Sequence, residues 1–153
     1  MKTWTIHEVA DACLMTTGEL SQWISRGHYR PSEEVRPGER RWFDWRDLAC
    51  LAVINALRPH CLSINAMGLI AGELREALAT MDRIPKSPSL FFFDALWAGD
   101  GKYTGTGGLV SERDLCAVLR HRFKSIIIVD VSGVYHAALA RLNAARGANG
   151  AAA

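Results

Sequence analysis

The sequence predicts an α+β chain, in which a set of capped helices broken by one hairpin is followed by a smaller α/β module. Three observations carry that reading. Helix-start signals recur at Thr5, Thr16 and Asp44, each with an acidic residue three positions later. A stretch poor in apolar residues, with Pro31, Pro37 and Gly38, separates the second signal from the third. After Pro85 the long helical repeats give way to short apolar runs of strand type.

Taken in order, Thr5 and Glu8 form a capping box, with Trp4 and Val9 at the staple positions around it. Ile6, Val9, Ala10 and Cys13 then share one helical face. Thr16 and Glu19 repeat the box, stapled by Met15 and Leu20, and Leu20, Trp23 and Ile24 form the inward side of a second helix. Gly27 is placed to end it. His28 to Phe43 fits a β-hairpin turning at Pro37-Gly38. Asp44 and Asp47 give a weaker third start, and that helix must end before Pro59. Ser63 opens a fourth helix, running to Met81 and weakened by Gly68 and Gly72.

Helix, turn, helix, hairpin, helix is the plan of a winged helix-turn-helix. Residues 1–84 are read as that domain and 85–89 as a linker. Residues 90–146 then form the α/β module. It has strands at Leu90–Trp97, Lys102–Thr106 and Ser125–Val131, the last read as buried. Ser111 is expected to cap a helix over Glu112–Arg122, and Ser132 another reaching about Arg146. Residues 147–153 read as a disordered tail.

Composition bounds the function. The chain has 153 residues, 49% hydrophobic and 22% charged, which suits one folded core or two small ones and excludes a charged disordered tail. No apolar run approaches the roughly 20 residues that span a bilayer. Glu8 and Asp11 interrupt any signal-peptide core, so a cytoplasmic, nucleoid-associated protein without a membrane partner is expected. Cys13, Cys50, Cys61 and Cys116 form no C-x-x-C pair and read as free, mostly buried thiols, with no metal site. The glycines between Gly99 and Gly108 lack the G-K-[ST] of a phosphate loop and read as hairpin turns. Asp130 ends a strand as catalytic carboxylates can, yet only His136 is a candidate neighbour. No catalytic residue and no cofactor is expected.

Residues 4 to about 82 resemble the DNA-binding head of the MerR-type transcriptional regulators. The resemblance lies in Trp4 to Ala10, in Met15 to Trp23, and then in Gly27, Arg41-Trp42-Phe43, Asp47-Leu48 and Leu62-Ser63-Ile64, in order. It implies a double-stranded DNA partner, a homodimer and transcription regulation. This chain departs where such heads usually carry Arg (here Gly18) and an aromatic pair (here Gln22-Trp23), and Trp42 replaces a basic wing residue. The long C-terminal helix through which such regulators dimerise is not legible either. Related winged heads occur in phage excisionases and small terminase subunits, which makes an architectural or packaging factor the alternative.

The candidate DNA contacts follow from the second helix and the wing. Thr16 and Thr17 sit where a helix N-terminus suits a phosphate. Gly18, Ser21, Gln22 and Arg26 lie outward or on the flanks, and Gln22 is the one amide able to pair bidentately with adenine. Arg36, Arg40 and Arg41 ride on the hairpin, and Trp42 either packs on the first helix or lies against a sugar-phosphate strand. Six arginines fall within residues 26–46, although the first 60 residues carry eight basic and eight acidic side chains. A neutral head binds weakly alone, so pairing of two heads is expected, with residues 90–146 as the dimerisation module. That module leaves room for a small-molecule or protein effector that the sequence does not name.

Overall fold

The structure, a computed structural model, describes residues 3–33, 39–97, 103–121, 123 and 125–151. Strand β1 (Trp4–Thr5) leads into helix α1 (Ile6–Ala12), and a tight turn into α2 (Thr17–Ser25). Strand β2 (Trp42–Phe43) precedes α3 (Trp45–Leu57), which ends in one 3-10 turn at Arg58–His60. Helix α4 (Ile64–Leu78) follows, then β3 (Ser89–Trp97), β4 (Tyr103–Ser111), a short α5 (Leu115–Leu119), β5 (Ile127–Asp130) and α6 (Val131–Ala151).

The capped starts form as their side chains dictate. Thr5 accepts from the Glu8 amide while the Glu8 carboxylate accepts from the Thr5 amide at 2.7 Å. Thr16 makes half a box, because it accepts from the Glu19 amide while Glu19 turns to Arg58 at 2.8 Å. Asp44 and Asp47, the weaker signal in sequence, make a complete reciprocal box. Gly27, at φ +74°, closes α2: the His28 amide reaches Trp23 O at 2.9 Å and the Gly27 amide reaches Ile24 O at 3.1 Å. A side chain with a Cβ would be strained there.

Helix α3 is the axis of the core. Residues 47–54 along it are all buried, because α4 packs on one side and α6 on another. Burying each Leu or Ile of such a helix is worth about 1.5–3 kcal/mol. The segment after α2 is fastened to this axis by a polar network. The Asp47 carboxylate, with no exposure, accepts from the Tyr29 hydroxyl at 2.7 Å, the Ser32 amide at 3.0 Å, the Asp44 amide at 3.1 Å and Arg75 Nη2 at 2.8 Å. Arg75 also donates to the Ser32 and Tyr29 hydroxyls. Burial first, then the charge of Asp47, holds the Tyr29 hydroxyl well above its ordinary range, so it stays a donor.

Several expectations need correction. Among the described residues the head has two strands, and they are not the arms of the expected hairpin: β2 pairs antiparallel with β1, Trp4 opposite Phe43 and Thr5 opposite Trp42. The expected turn at residues 34–38 lies outside the described residues. Helix α4 stops at Leu78 because Arg46 draws the chain off there, donating to Leu78 O at 3.2 Å and Met81 O at 2.7 Å. Arg46, which flanks the expected hairpin in sequence, therefore serves the end of α4. The helix expected from Glu112 shrinks to α5, since Ser111 and Asp114 bond to each other in a turn.

The C-terminal sheet is antiparallel in the order β4-β3-β5. Phe91 and Phe93 point into the core, and Gly107 and Gly105 lie beneath their rings, where a Cβ would come within 2.4 and 2.5 Å of ring carbons. Gly105, Gly107 and Gly108 are therefore strand residues that make room for aromatic rings, not turn residues; Gly99 and Gly101 lie outside the described residues. Strand β5, read as buried, is an edge strand with Val129 inward and Ile128 38% exposed. The final helix runs past Arg146 to Ala151. Its Val131, Tyr135, Ala138 and Leu142 are buried in the same core as the head, so residues 90–146 share one hydrophobic interior with residues 4–84. Arg141 seals the contact by donating to Ala12 O at 2.7 Å, at the end of α1.

Two outcomes are expected. Removing the Asp47 carboxylate leaves Arg75 buried without its partner, so Asp47→Ala should lower unfolding stability in urea by about 3–5 kcal/mol. A loss under about 1 kcal/mol contradicts the clamp. Burial pushes the Cys13 and Cys50 thiols up to about 12, while Cys61 and Cys116 are exposed. The expected burial of most thiols thus holds for two of four. Native alkylation near neutral pH should modify Cys61 and Cys116 and spare the other pair until denaturant is added.

Candidate nucleic-acid interface

The turn between α1 and α2 sets the angle of the second helix. The Met15 amide bonds back to Ala10 O at 3.0 Å, and Leu14 takes a left-handed conformation at φ +55°. A ring nitrogen of His7, Nδ1, shares a hydrogen bond of 3.1 Å with the Thr17 hydroxyl, which ties the first turn of α1 to the first turn of α2. Leu20 is fully buried, so α2 has one seated side and one solvent side.

On the solvent side stand Thr16, Gly18, Ser21, Gln22 and Arg26, all exposed. Nothing lies within 4 Å of where a Gly18 Cβ would project. The Ser25 hydroxyl folds back onto Gln22 O at 3.0 Å, clearing the helix surface beside the Gln22 amide. Thr17 departs from expectation: it is half-buried, and its hydroxyl is engaged by His7. Its side chain braces the helix against the first turn of α1. Glu19, the one acidic residue on α2, is held by Arg58 at 2.8 Å, so its charge is offset where it would repel phosphate.

The wing side is only partly described. Arg36 lies outside the described residues. Arg40 is exposed, with its guanidinium carbon 5.2 Å from the centre of the Trp42 ring, and Arg41 is half-buried. Trp42 is 36% exposed, on the strand that pairs with β1. Its ring therefore carries the Arg40 guanidinium against one face. Beside it, Thr3, Ser32, Glu33, Trp42 and Asp44 line a recess of about 280 Å³. Two carboxylates in that lining disfavour a phosphate inside it.

Two residues that matter were not legible in sequence. His7 and Arg58 act on α2 from ten and 39 positions away along the chain. No local pattern links such pairs. Asp130 and His136, the one pair the sequence sets up as candidate neighbours, each have a structural partner: Asp130 accepts from the Gly133 amide at 2.9 Å and caps α6, while His136 bonds Pro85 O at 3.2 Å. Asp130, not Ser132, is thus the acceptor at that helix start. Among the described residues no group of three or more His, Cys, Asp or Glu side chains is placed to hold a metal ion.

This geometry is that of a helix-turn-helix whose second helix is seated on one side and open on the other. The sequence model of the MerR HTH family regulatory proteins matches residues 4–68. The N-terminal part of the chain is accordingly a MerR-type helix-turn-helix DNA-binding head, the module of DNA-binding transcription regulators. The match ends within α4, so β3, β4, β5 and α6 lie beyond it. No curated protein matches the chain. No helix among the described residues is long and apolar enough to cross a membrane.

Because the space at Gly18 is open, Gly18→Arg should fold normally and restore a cation on the helix face. Such a change should steepen the dependence of log affinity on log salt by about 0.9 per added phosphate contact. An unchanged slope in fluorescence anisotropy would place Gly18 off the DNA surface.

Proposed function

We propose that this chain is a sequence-specific double-stranded DNA-binding protein that acts as a homodimeric, nucleoid-associated transcription regulator in the cytoplasm. The observation that carries this reading is the solvent face of α2. It presents Thr16, Gly18, Ser21, Gln22 and Arg26 with no unoffset acid among them. A helix presented this way enters the major groove with its N-terminal turns toward base edges. Gln22, exposed and central, is the residue for a bidentate pair with adenine, and Thr16 and Arg26 bracket it toward the backbone. Arg40 on the Trp42 ring extends the contact to the neighbouring groove. The role is one of binding, with no reaction and no cofactor assigned, and the C-terminal sheet is the part on which an effector would act.

Selection of duplexes from a random pool by the full-length chain tests the reading. An inverted-repeat motif supports a dimeric regulator, whereas clustered direct repeats favour an excisionase-like or packaging role, and no enrichment defeats both. On a selected duplex, Gln22→Ala should lose about 1–3 kcal/mol of discrimination at one base pair. Equal losses on all sequences would instead make Gln22 a backbone contact. Affinity should fall with salt, with a modest slope, because each head neutralises few phosphates.

A further inference from the structure

The C-terminal sheet has two outer strands, and its hydrogen bonding distinguishes them. The Gly107 amide of β4 donates to the Glu73 carboxylate of α4 at 3.3 Å, so it faces away from β3. Helix α4 thus covers that side of β4. Gly107 lies opposite Phe93, so the Phe93 amide and carbonyl must face β5. The Ser89 amide, in phase with Phe93, donates to Ser132 on the β5 side at 3.0 Å, which fixes the same phase independently. Phe93 pairs with Ile127 and Phe91 with Val129. The backbone groups of Ile127 and Val129 are therefore spent on β3. Those of Ile128 and Asp130 point out of the open edge, where the Ile128 side chain is 38% exposed.

We propose that this edge is where two copies of the chain pair, antiparallel, about a two-fold axis at Ile128. The inference rests on the dimeric reading above and names its contact. An exposed strand edge recruits another strand, because only a strand matches its row of amides and carbonyls. The charge pattern selects the partner and its direction. The sequence before β5 runs Arg120-His121-Arg122-Phe123-Lys124, and the strand ends at the exposed Asp130. A strand basic at one end and acidic at the other complements a second copy of itself only in the antiparallel sense. A parallel partner would set like ends together. Centring on Ile128 sets Asp130 of each copy opposite Ile126 of the other, two positions along the sequence from Lys124. The two Ile128 side chains then cover each other, and a continuous six-stranded sheet in the order β4-β3-β5-β5-β3-β4 results. The contact is isologous and closes at two copies.

The test uses the full-length chain in multi-angle light scattering, with circular dichroism as the check on folding. Wild type should show twice the chain mass. Ile128→Pro removes an outward amide that the chain's own sheet does not use, so it should fold and show a single chain mass. Ile128→Lys keeps the amide and sets two like charges across the axis, and it should also be monomeric; it decides the matter if the proline variant misfolds. Both variants should lose about a hundredfold in affinity for a selected inverted repeat while keeping half-site binding. A dimer that survives both changes overturns the edge assignment and leaves the dimeric reading standing. A monomeric wild type overturns both the edge and the dimer, while DNA binding by one head remains measurable in the same assay.

Discussion

The Asp47 carboxylate, without solvent exposure, gathers donors from the Tyr29 hydroxyl, the Ser32 and Asp44 amides and the Arg75 guanidinium. These belong to the segment after α2, the start of α3 and the last turn of α4. Everything that presents the reading helix hangs on their staying together. The chain leaves α2 through the Gly27 turn and is pinned at Tyr29 and Ser32 before it departs toward the wing. A buried charge of this kind holds only while every donor is in place, because an unpaired carboxylate or guanidinium in the core costs several kcal/mol. The network therefore enforces one relative placement of α2, α3 and α4. A looser apolar contact would permit several.

Charge is distributed by the same logic. In sequence the first 60 residues are neutral, which argues for a weak grip on DNA. In the fold, Glu8 pairs with Arg146, Glu19 with Arg58, Asp44 with Arg46 and Asp47 with Arg75. Two of those cations, Arg75 and Arg146, come from beyond residue 60. The Arg146 guanidinium also holds the Glu8 carboxyl below its usual range. The later part of the chain thus offsets acids of the head, and its surface is more positive than a count along the sequence shows. Helix α6 supplies both this charge and, through Arg141, a cap on α1. The C-terminal part is continuous with the head, sharing one hydrophobic interior with it.

How much of this was legible in the sequence follows from the range of each interaction. Helix caps and the Gly27 stop are local, acting over three to five residues: Thr5, Thr16 and Asp44 cap where the sequence marks them, although only Thr5 and Asp44 complete the reciprocal box. The exposed face of α2 is set by helical period and was equally readable. What failed was non-local. The partner of β2 is β1 and not a hairpin arm, because the staple residue Trp4 seats the N-terminus beside Phe43. Thr17 was assigned to phosphate, but His7 claims its hydroxyl. Arg46 flanks the expected hairpin in sequence, but the end of α4 claims it. The strand glycines were read as turns because the Phe rings above them are set by register across two strands. In each case a side chain with more than one use was taken by a neighbour remote in sequence.

The central claim is that the solvent face of α2, flanked by Arg40 and Trp42, is the DNA-reading surface. Amide chemical shifts of the full-length chain, followed by NMR during titration with a selected duplex, test it most directly. The account predicts the largest changes at Thr16, Gly18, Ser21, Gln22 and Arg26, smaller ones at Arg40 and Trp42, and little change along β3 and β4. Changes concentrated on the C-terminal sheet, with the amides of α2 unmoved, would contradict it.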